Sequence, residues 1–162
     1  MVKKSPTKTG VAAVGVSKKE NAALLPVTLQ SVEITQGTIE RKVLRSEAPK
    51  GKIDTGLFFK IEKVSRNGKD AIIGLLKVEL TGRSAEPDTP QTFAISFELE
   101  GVFFSEDSNA KITQKNLTKG MAERMVHELH PLAMMRASEL LSMIGYSGVR
   151  FAYGLPREAL NK

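Results

Sequence analysis

The stretch 93–144 constrains the fold more than any other, because the period of its apolar residues changes partway along it. From Phe93 to Leu99 every second residue is apolar, which is the pattern of a strand with one buried face. Beyond residue 111 the apolar residues recur four apart, which is the spacing of a helix. They are Leu117, Met121, Met125 and Leu129. A sheet with one apolar face needs a cover, and the helical region that follows can supply it.

Alternating apolar residues predict four strands, with a turn or loop between successive strands. The predicted strands cover 27–44, 57–64, 71–81 and 91–104. Asn67-Gly68 separates the second strand from the third, and this dipeptide is the strongest short signal for a β-hairpin. Glycine and proline residues predict a loop over 46–56. We expect Gly37 and Gly101 to mark bulges or bends within their strands.

Pro131 interrupts the helical pattern, and a proline in a helix interior removes a backbone donor and clashes with the preceding turn. We therefore expect one helix to end at His130 and a second helix to begin at Pro131. Gly145 is expected to end the second helix. The sequence thus predicts an α+β fold, in which a four-stranded antiparallel sheet is backed by two C-terminal helices.

Composition excludes several classes of protein. The chain has no cysteine, so disulfides and thiolate metal sites are excluded and the cytoplasm is the expected compartment. No segment is as long and apolar as a membrane span, so no membrane insertion is expected. Residues 1–26 predict a flexible basic tail, and 27–162 a single domain. Five lysines of the tail supply most of the net charge of +6, and a near-neutral domain argues against specific nucleic-acid binding.

The sequence offers no carrier for catalysis. A phosphate-binding loop, a nucleophile elbow and a nucleophile beside a base are all missing from it, so we predict a non-enzyme without a cofactor. His127 and His130 lie near Glu123 on one helical face, but this is a minimal ligand set and no HExxH pattern is present. We interpret the two histidines as a helix-end pair, which the helix dipole favours, and predict no metal site.

The methionines point to a binding surface. All of them except Met1 lie in the helical region, and methionine side chains adapt to several partners. Met134 and Met135 are about 100° apart on a helix, so one wall cannot bury both. For Met121 and Met125 we favour the simpler interpretation that they fill gaps beneath the sheet.

The aromatic residues come in adjacent pairs, Phe58-Phe59 and Phe103-Phe104. Neighbouring residues of a strand face opposite sides of its sheet, so one ring of each pair should reach the core. The other ring would contact a second subunit or a ligand, and the sequence leaves these two alternatives open.

The order of these elements, with several short strings, resembles the SecB family of export chaperones over residues 28–156. Gly101-Val102-Phe103 is similar to the Gly-Ile-Phe string that ends the last strand of that family. His130-Pro131 resembles its Cys-Pro helix break, and Leu155-Pro156 its closing Leu-Pro segment. The segment 135–140 departs from the aromatic string of the family's second helix, and the acidic sheet face and basic, lipophilic C-terminal tail that engage a translocase motor are not evident.

The resemblance implies a dimer of dimers that binds unfolded polypeptide in apolar grooves formed by the crossover loop, the second strand and the helices. The residues that match these elements and are predicted to bind peptide are Leu57, Phe58, Phe59, Ile61, Met134, Met135, Tyr146 and Phe151. We assign the apolar surface left over first to the oligomer interface. The residues predicted to form that interface are Phe103, Met121, Met125, Ala137 and Leu141.

We therefore predict an ATP-independent molecular chaperone that holds unfolded or non-native polypeptide. Its clients would be exported proteins, delivered to a translocase motor, or a dedicated client such as an antitoxin. The alternative is a non-catalytic structural or adaptor subunit whose apolar surface serves self-assembly or a fixed protein partner.

Overall fold

A computed structural model describes residues 24–44, 51–85 and 91–151. Its elements are β1 (Val27–Arg41), β2 (Gly51–Arg66), β3 (Lys69–Ser84), β4 (Gln91–Ser105), a 3-10 turn (Gln114–Asn116) and the helix α1 (Lys119–Met143). The four strands form one antiparallel sheet in the order β1-β4-β3-β2, and α1 packs on β3, β2 and β4. The predicted α+β class and four-stranded sheet are confirmed. The predicted tail and the closing Leu155-Pro156 segment fall largely or wholly outside the described residues.

The hairpin between β2 and β3 forms at the predicted dipeptide. Asn67 and Gly68 have φ angles of 53° and 73°, and two successive positive φ values are those of the tight turn that matches strand twist. Pairing then continues without a break from Arg66 with Lys69 to Gly51 with Ser84. β2 therefore begins at Gly51, and the predicted loop over 46–56 is too long, because pairing with β3 extends the strand through this glycine-containing segment.

β1 keeps its apolar residues on one face of the sheet through two shifts of register. Leu29 pairs with Phe103 and Ser31 with Val102, and a second shift separates Ile34 from Gln36. Each shift is a β-bulge, which adds one residue to β1 and restores the phase of the side chains that follow. The prediction of bulges at Gly37 and Gly101 is wrong, since both glycines are regularly paired.

Two glycines at the centre of the sheet allow the helix to pack closely against it. Gly74 of β3 pairs with Gly101 of β4, and a Cβ atom at Gly101 would lie 2.7 Å from Cδ2 of Leu129. A Cβ atom at Gly74 would lie 3.1 Å from Cε of Met125. Without side chains at this pair, α1 approaches the sheet closely and buries Leu129 completely. Gly101 therefore makes room for the side chain of Leu129 and does not mark a bulge.

α1 is a single helix, which corrects the prediction of two. It begins after the N-cap Thr118, whose hydroxyl accepts a hydrogen bond from the amide of Met121, and runs through Pro131 to Met143. The helix continues because residues on both sides of the proline, Leu129 and Ala133 among them, are fully buried against the sheet. Tertiary packing of this kind offsets a local helix cost of about 3 kcal/mol for proline.

Candidate functional site

The chain folds back against α1 directly after the helix ends. Gly145 and Gly148 have φ angles of 92° and 82°, which a side chain rarely permits, and they turn the backbone twice within four residues. Between them, Tyr146 donates its backbone amide to the carbonyl of Leu141 at 2.8 Å. The ring of Tyr146 packs on that of Phe93, with centroids 4.8 Å apart. This anchor brings the segment from residue 149 onto the side of the helix.

A cleft of about 330 Å³ lies between α1 and this returning segment. Its lining residues are Met134, Ser138, Val149, Arg150 and Phe151. Met134 is 3% exposed, while Val149 and Phe151 are half-buried and pack against the core. The Ser138 hydroxyl donates to the carbonyl of Met134 at 3.1 Å, so its hydrogen is already used within the helix. Among the described residues, apolar and polar groups therefore line the cleft in similar measure, and Arg150 is its one charged side chain.

Adjacent methionines of α1 have different surroundings, as the sequence predicts. Met134 belongs to the hydrophobic core and lines the cleft, whereas Met135 is 53% exposed. The turn of about 100° per residue places Met135 outside the contact with the sheet. One helix thus presents one methionine to the cleft and another to solvent.

The predicted residues of β2 lie on two opposite faces of the sheet. Leu57, Phe59 and Ile61 are half-buried and pack against the core on the helix-facing side. Phe58 is 56% exposed, and Nζ of Lys77 lies 5.9 Å from the centre of its ring. Phe58 pairs with Lys77 across the strands, so both belong to the outer face. A groove on the helix-facing side cannot include Phe58.

The five residues predicted to form an oligomer interface lie inside the single chain. Phe103, Met121, Met125, Ala137 and Leu141 have no exposed surface, because the sheet and α1 of the same chain enclose them. In this conformation they offer no surface to a second subunit, so we reassign them from the interface to the core of the chain. Met121 and Met125 are buried beneath the sheet, which agrees with the interpretation that they fill gaps there.

β1 carries apolar surface that sequence analysis did not select. Ile34 pairs with Leu99 and Ile39 with Ile95, so both side chains point to the helix-facing side. They are nevertheless 47% and 41% exposed. Alternation alone predicts that such residues are buried, and only the position of β1 at the sheet edge leaves them open. Leu24 and Leu44, on either side of the strand, are exposed as well.

Ser138, Val149 and Arg150 were also missed, although the sequence carried a signal for them. Gly145 and Gly148 mark in the sequence where the chain turns back onto the domain. A serine and an arginine have no apolar period of their own, so their place in the cleft follows only from the path of the backbone.

The histidines are not a helix-end pair, because α1 continues past both of them. His130 is 2% exposed, whereas His127 is exposed to solvent. Within the described ranges, no group of three or more histidine, cysteine, aspartate or glutamate side chains is placed to hold a metal ion. α1, the long helix of the described part, is not apolar enough to cross a membrane.

Comparisons with known proteins agree with the fold. No protein-family model and no curated protein matches the sequence. Among solved structures, the chain is similar to the SecB-like chaperone of Mycobacterium tuberculosis, which was determined in complex with a ChAD peptide from the HigA1 antitoxin. The TM-score is 0.62 at 12% identity, and the match covers 78% of this chain and 90% of that one.

A protein of unknown function from Streptococcus agalactiae also matches, with a TM-score of 0.44 at 12% identity over 78% of this chain and 96% of that chain. The similarity to the mycobacterial structure agrees with the resemblance found in the sequence. This chain therefore has a SecB-like fold, with one continuous helix over a four-stranded antiparallel sheet.

Proposed function

We propose that this protein is an ATP-independent chaperone that holds non-native polypeptide. The observation that carries the proposal is the cleft of about 330 Å³ between α1 and residues 149–151, in which the apolar side chains of Met134, Val149 and Phe151 lie beside the polar Ser138 and Arg150. Ligand pockets in proteins span about 300–1,000 Å³, so this cleft suits one large apolar side chain of an extended segment. Unfolded chains expose such side chains and folded ones bury them. The cleft would thus favour the unfolded form of a client.

The fold adds support from a different direction. The mycobacterial structure with the same fold is a SecB-like chaperone in complex with an antitoxin peptide. An antitoxin segment is accordingly one client class within the proposal, while delivery to a translocase motor stays a prediction from the sequence. A binding role of this kind requires no catalytic residue or cofactor, and we propose a non-enzyme.

Several apolar surfaces would act together. Leu57, Phe59 and Ile61 leave half-buried surface along β2, and Met135 adds an exposed contact on α1. Binding one flexible segment orders it, which offsets most of the gain from burying apolar area. A long client that engages more than one site gains avidity on the order of 10²-fold or more. An oligomer would multiply the sites in the same way.

The experiment is suppression of aggregation of an unfolding client by the purified full-length chain, with no nucleotide present. The proposal expects suppression at stoichiometric amounts, and expects Phe151→Ser to weaken it severalfold while the circular dichroism spectrum and the solution mass stay unchanged. Met143→Ser is the matched control, because Met143 is exposed and does not line the cleft. Unchanged aggregation of the client beside an intact oligomer would contradict the proposal.

A structural or adaptor subunit is the second candidate, and the exposed edge at β1 favours it. Most large apolar side chains that the described residues leave exposed lie on β1 or beside it: Leu24, Ile34, Ile39 and Leu44. An edge strand also presents unpaired backbone groups to a neighbouring chain. We propose that self-assembly, with a dimer of dimers as the form implied by the resemblance, uses this edge.

Ile34→Asp separates the two candidates. If β1 serves assembly, the variant should have a lower solution mass by light scattering, and the adaptor function should be lost with it. If the chaperone proposal holds, each smaller particle should still bind a short peptide in the cleft. Loss of peptide binding together with assembly would favour the adaptor.

A further inference from the structure

The cleft has a charged residue at its margin that no described carboxylate neutralises. Of the described residues that line the cleft, Arg150 alone is charged, and its side chain is exposed. No carboxylate in the described part of the chain lies within ion-pair distance of its guanidinium. Four other arginines of the domain have carboxylate partners: Arg66 with Glu100, Arg83 with Asp54, Arg124 with Glu106 and Glu128, and Arg136 with Glu139. Arg41 instead donates to the backbone carbonyl of Ile144. Within the described residues, Arg150 thus differs from these four, because its five donors face no carboxylate.

The surroundings of Arg150 place this charge beside apolar side chains. Its neighbours in the chain, Val149 and Phe151, are half-buried and form the wall of the cleft opposite Met134. An extended peptide advances about 3.3 Å per residue, so a group one or two residues from an inserted side chain reaches the margin of the cleft. The group that a guanidinium binds best is a carboxylate, which it can contact with two parallel hydrogen bonds.

We propose that the cleft selects peptide segments in which a large apolar residue is flanked by an acidic one, with Arg150 as the residue that determines this preference. The inference rests on the proposed chaperone function, because it names the class of client segment that the same cleft takes. The apolar side chain contacts Met134, Val149 and Phe151, and the neighbouring carboxylate pairs with Arg150. A basic flanking residue is disfavoured by repulsion from the same guanidinium.

The expected preference is moderate because Arg150 is exposed. Ion pairs at exposed sites contribute modestly and are screened by salt, so an acidic flank should bind about two- to fivefold more tightly than a neutral one. The preference should shrink at high salt, whereas binding of the apolar residue itself should persist. These two dependences separate the charge from the apolar contact.

The test uses three synthetic ten-residue peptides that share one phenylalanine in a glycine and serine background and differ only in its two neighbours. The neighbours are aspartate, serine or lysine. Each peptide carries the same fluorescent label, and its Kd for the full-length protein is measured by anisotropy at low and at high salt. The expected order of affinity in the unmodified protein is aspartate, then serine, then lysine.

Arg150→Glu should reverse this order of affinity. Lys111→Glu is the matched control, since it makes the same change in net charge at an exposed residue that does not line the cleft. The control should keep the original order. If the Kd values of the three peptides changed equally in both variants, the preference would come from the net charge of the protein, and the proposal would be overturned.

The remaining outcomes distinguish this inference from the function it rests on. Equal binding of all three peptides, beside normal suppression of client aggregation, overturns the acidic preference alone. No binding of any peptide and no suppression overturns both. A Kd that depends on the concentration of the protein itself, and not on the flanking residue, assigns the cleft to a second copy of this chain and also overturns the proposal.

Discussion

The centre of the sheet and its two edges use the same kinds of residue in different ways. At the centre, β3 and β4 bury nearly every helix-facing side chain, and the paired glycines Gly74 and Gly101 bring Leu129 into contact with the backbone. At the edges, β1 leaves Ile34 and Ile39 exposed on that same side. One helix is too narrow to cover four strands, so the centre carries most of the buried apolar contacts and the β1 edge keeps apolar surface exposed.

The largest effect on stability is expected at the centre, from Leu129→Ala. Removing a fully buried leucine that rests on two glycines leaves a cavity, because backbone cannot move in to fill it. The free energy of unfolding should fall by about 2–5 kcal/mol, measured by chemical denaturation. Met143→Ala on the exposed side of the same helix is the control and should change it by less than about 0.5 kcal/mol. Equal effects of the two substitutions would show that burial of Leu129 against the sheet centre does not determine its contribution to stability.

Filling the glycine pair should be the next most harmful change. Gly101→Ala places a methyl group 2.7 Å from Leu129, and overpacking of this kind costs about 1–3 kcal/mol of unfolding free energy. Gly56→Ala on the edge strand β2 is the matched control, since its nearest neighbour would be an ordinary 3.4 Å away. Combining Gly101→Ala with Leu129→Ala should cost less than the sum of the two, because the smaller side chain makes room. Strict additivity would mean that the two residues do not share the contact.

Pro131→Ala tests whether the central packing offsets a local cost. Alanine restores the missing backbone donor in the helix interior but frees the unfolded chain, so we expect stability to rise by about 1–2 kcal/mol. The thermal midpoint and the helical signal in circular dichroism should both increase. A loss of stability would show that the proline makes packing contacts that alanine cannot replace.

The smallest effect on stability is expected from Met135→Ser. This side chain is exposed, so the free energy of unfolding should change by less than about 0.5 kcal/mol, whereas Met134→Ser should lower it by about 2 kcal/mol or more. Under the proposed function, Met135→Ser should still weaken client binding, measured by suppression of aggregation. Full activity of this variant would limit the binding surface to the cleft.

At the candidate site, sequence reasoning identified some residues and misassigned others. It selected Met134, Tyr146 and Phe151, which the structure brings to α1 and the returning segment, and it predicted that Met134 and Met135 would differ in burial. It grouped Phe58 with residues on the opposite face, and it assigned five core residues to an interface. Apolar character indicates that a side chain will be covered, but not whether its own chain or another one covers it.

The sequence by itself determined the class of fold and most of its strands, because periods of two and 3.6 and the Asn67-Gly68 turn are local properties. The gap in alternation between Leu29 and Val32 even carried the mark of the bulge found there. Only the tertiary structure decided that α1 runs through Pro131, that Leu129 packs on Gly101, and that Arg150 lies in a cleft beside Met134. Each of these depends on residues far apart in the chain, whose contact energies outweigh the local preferences that a sequence displays.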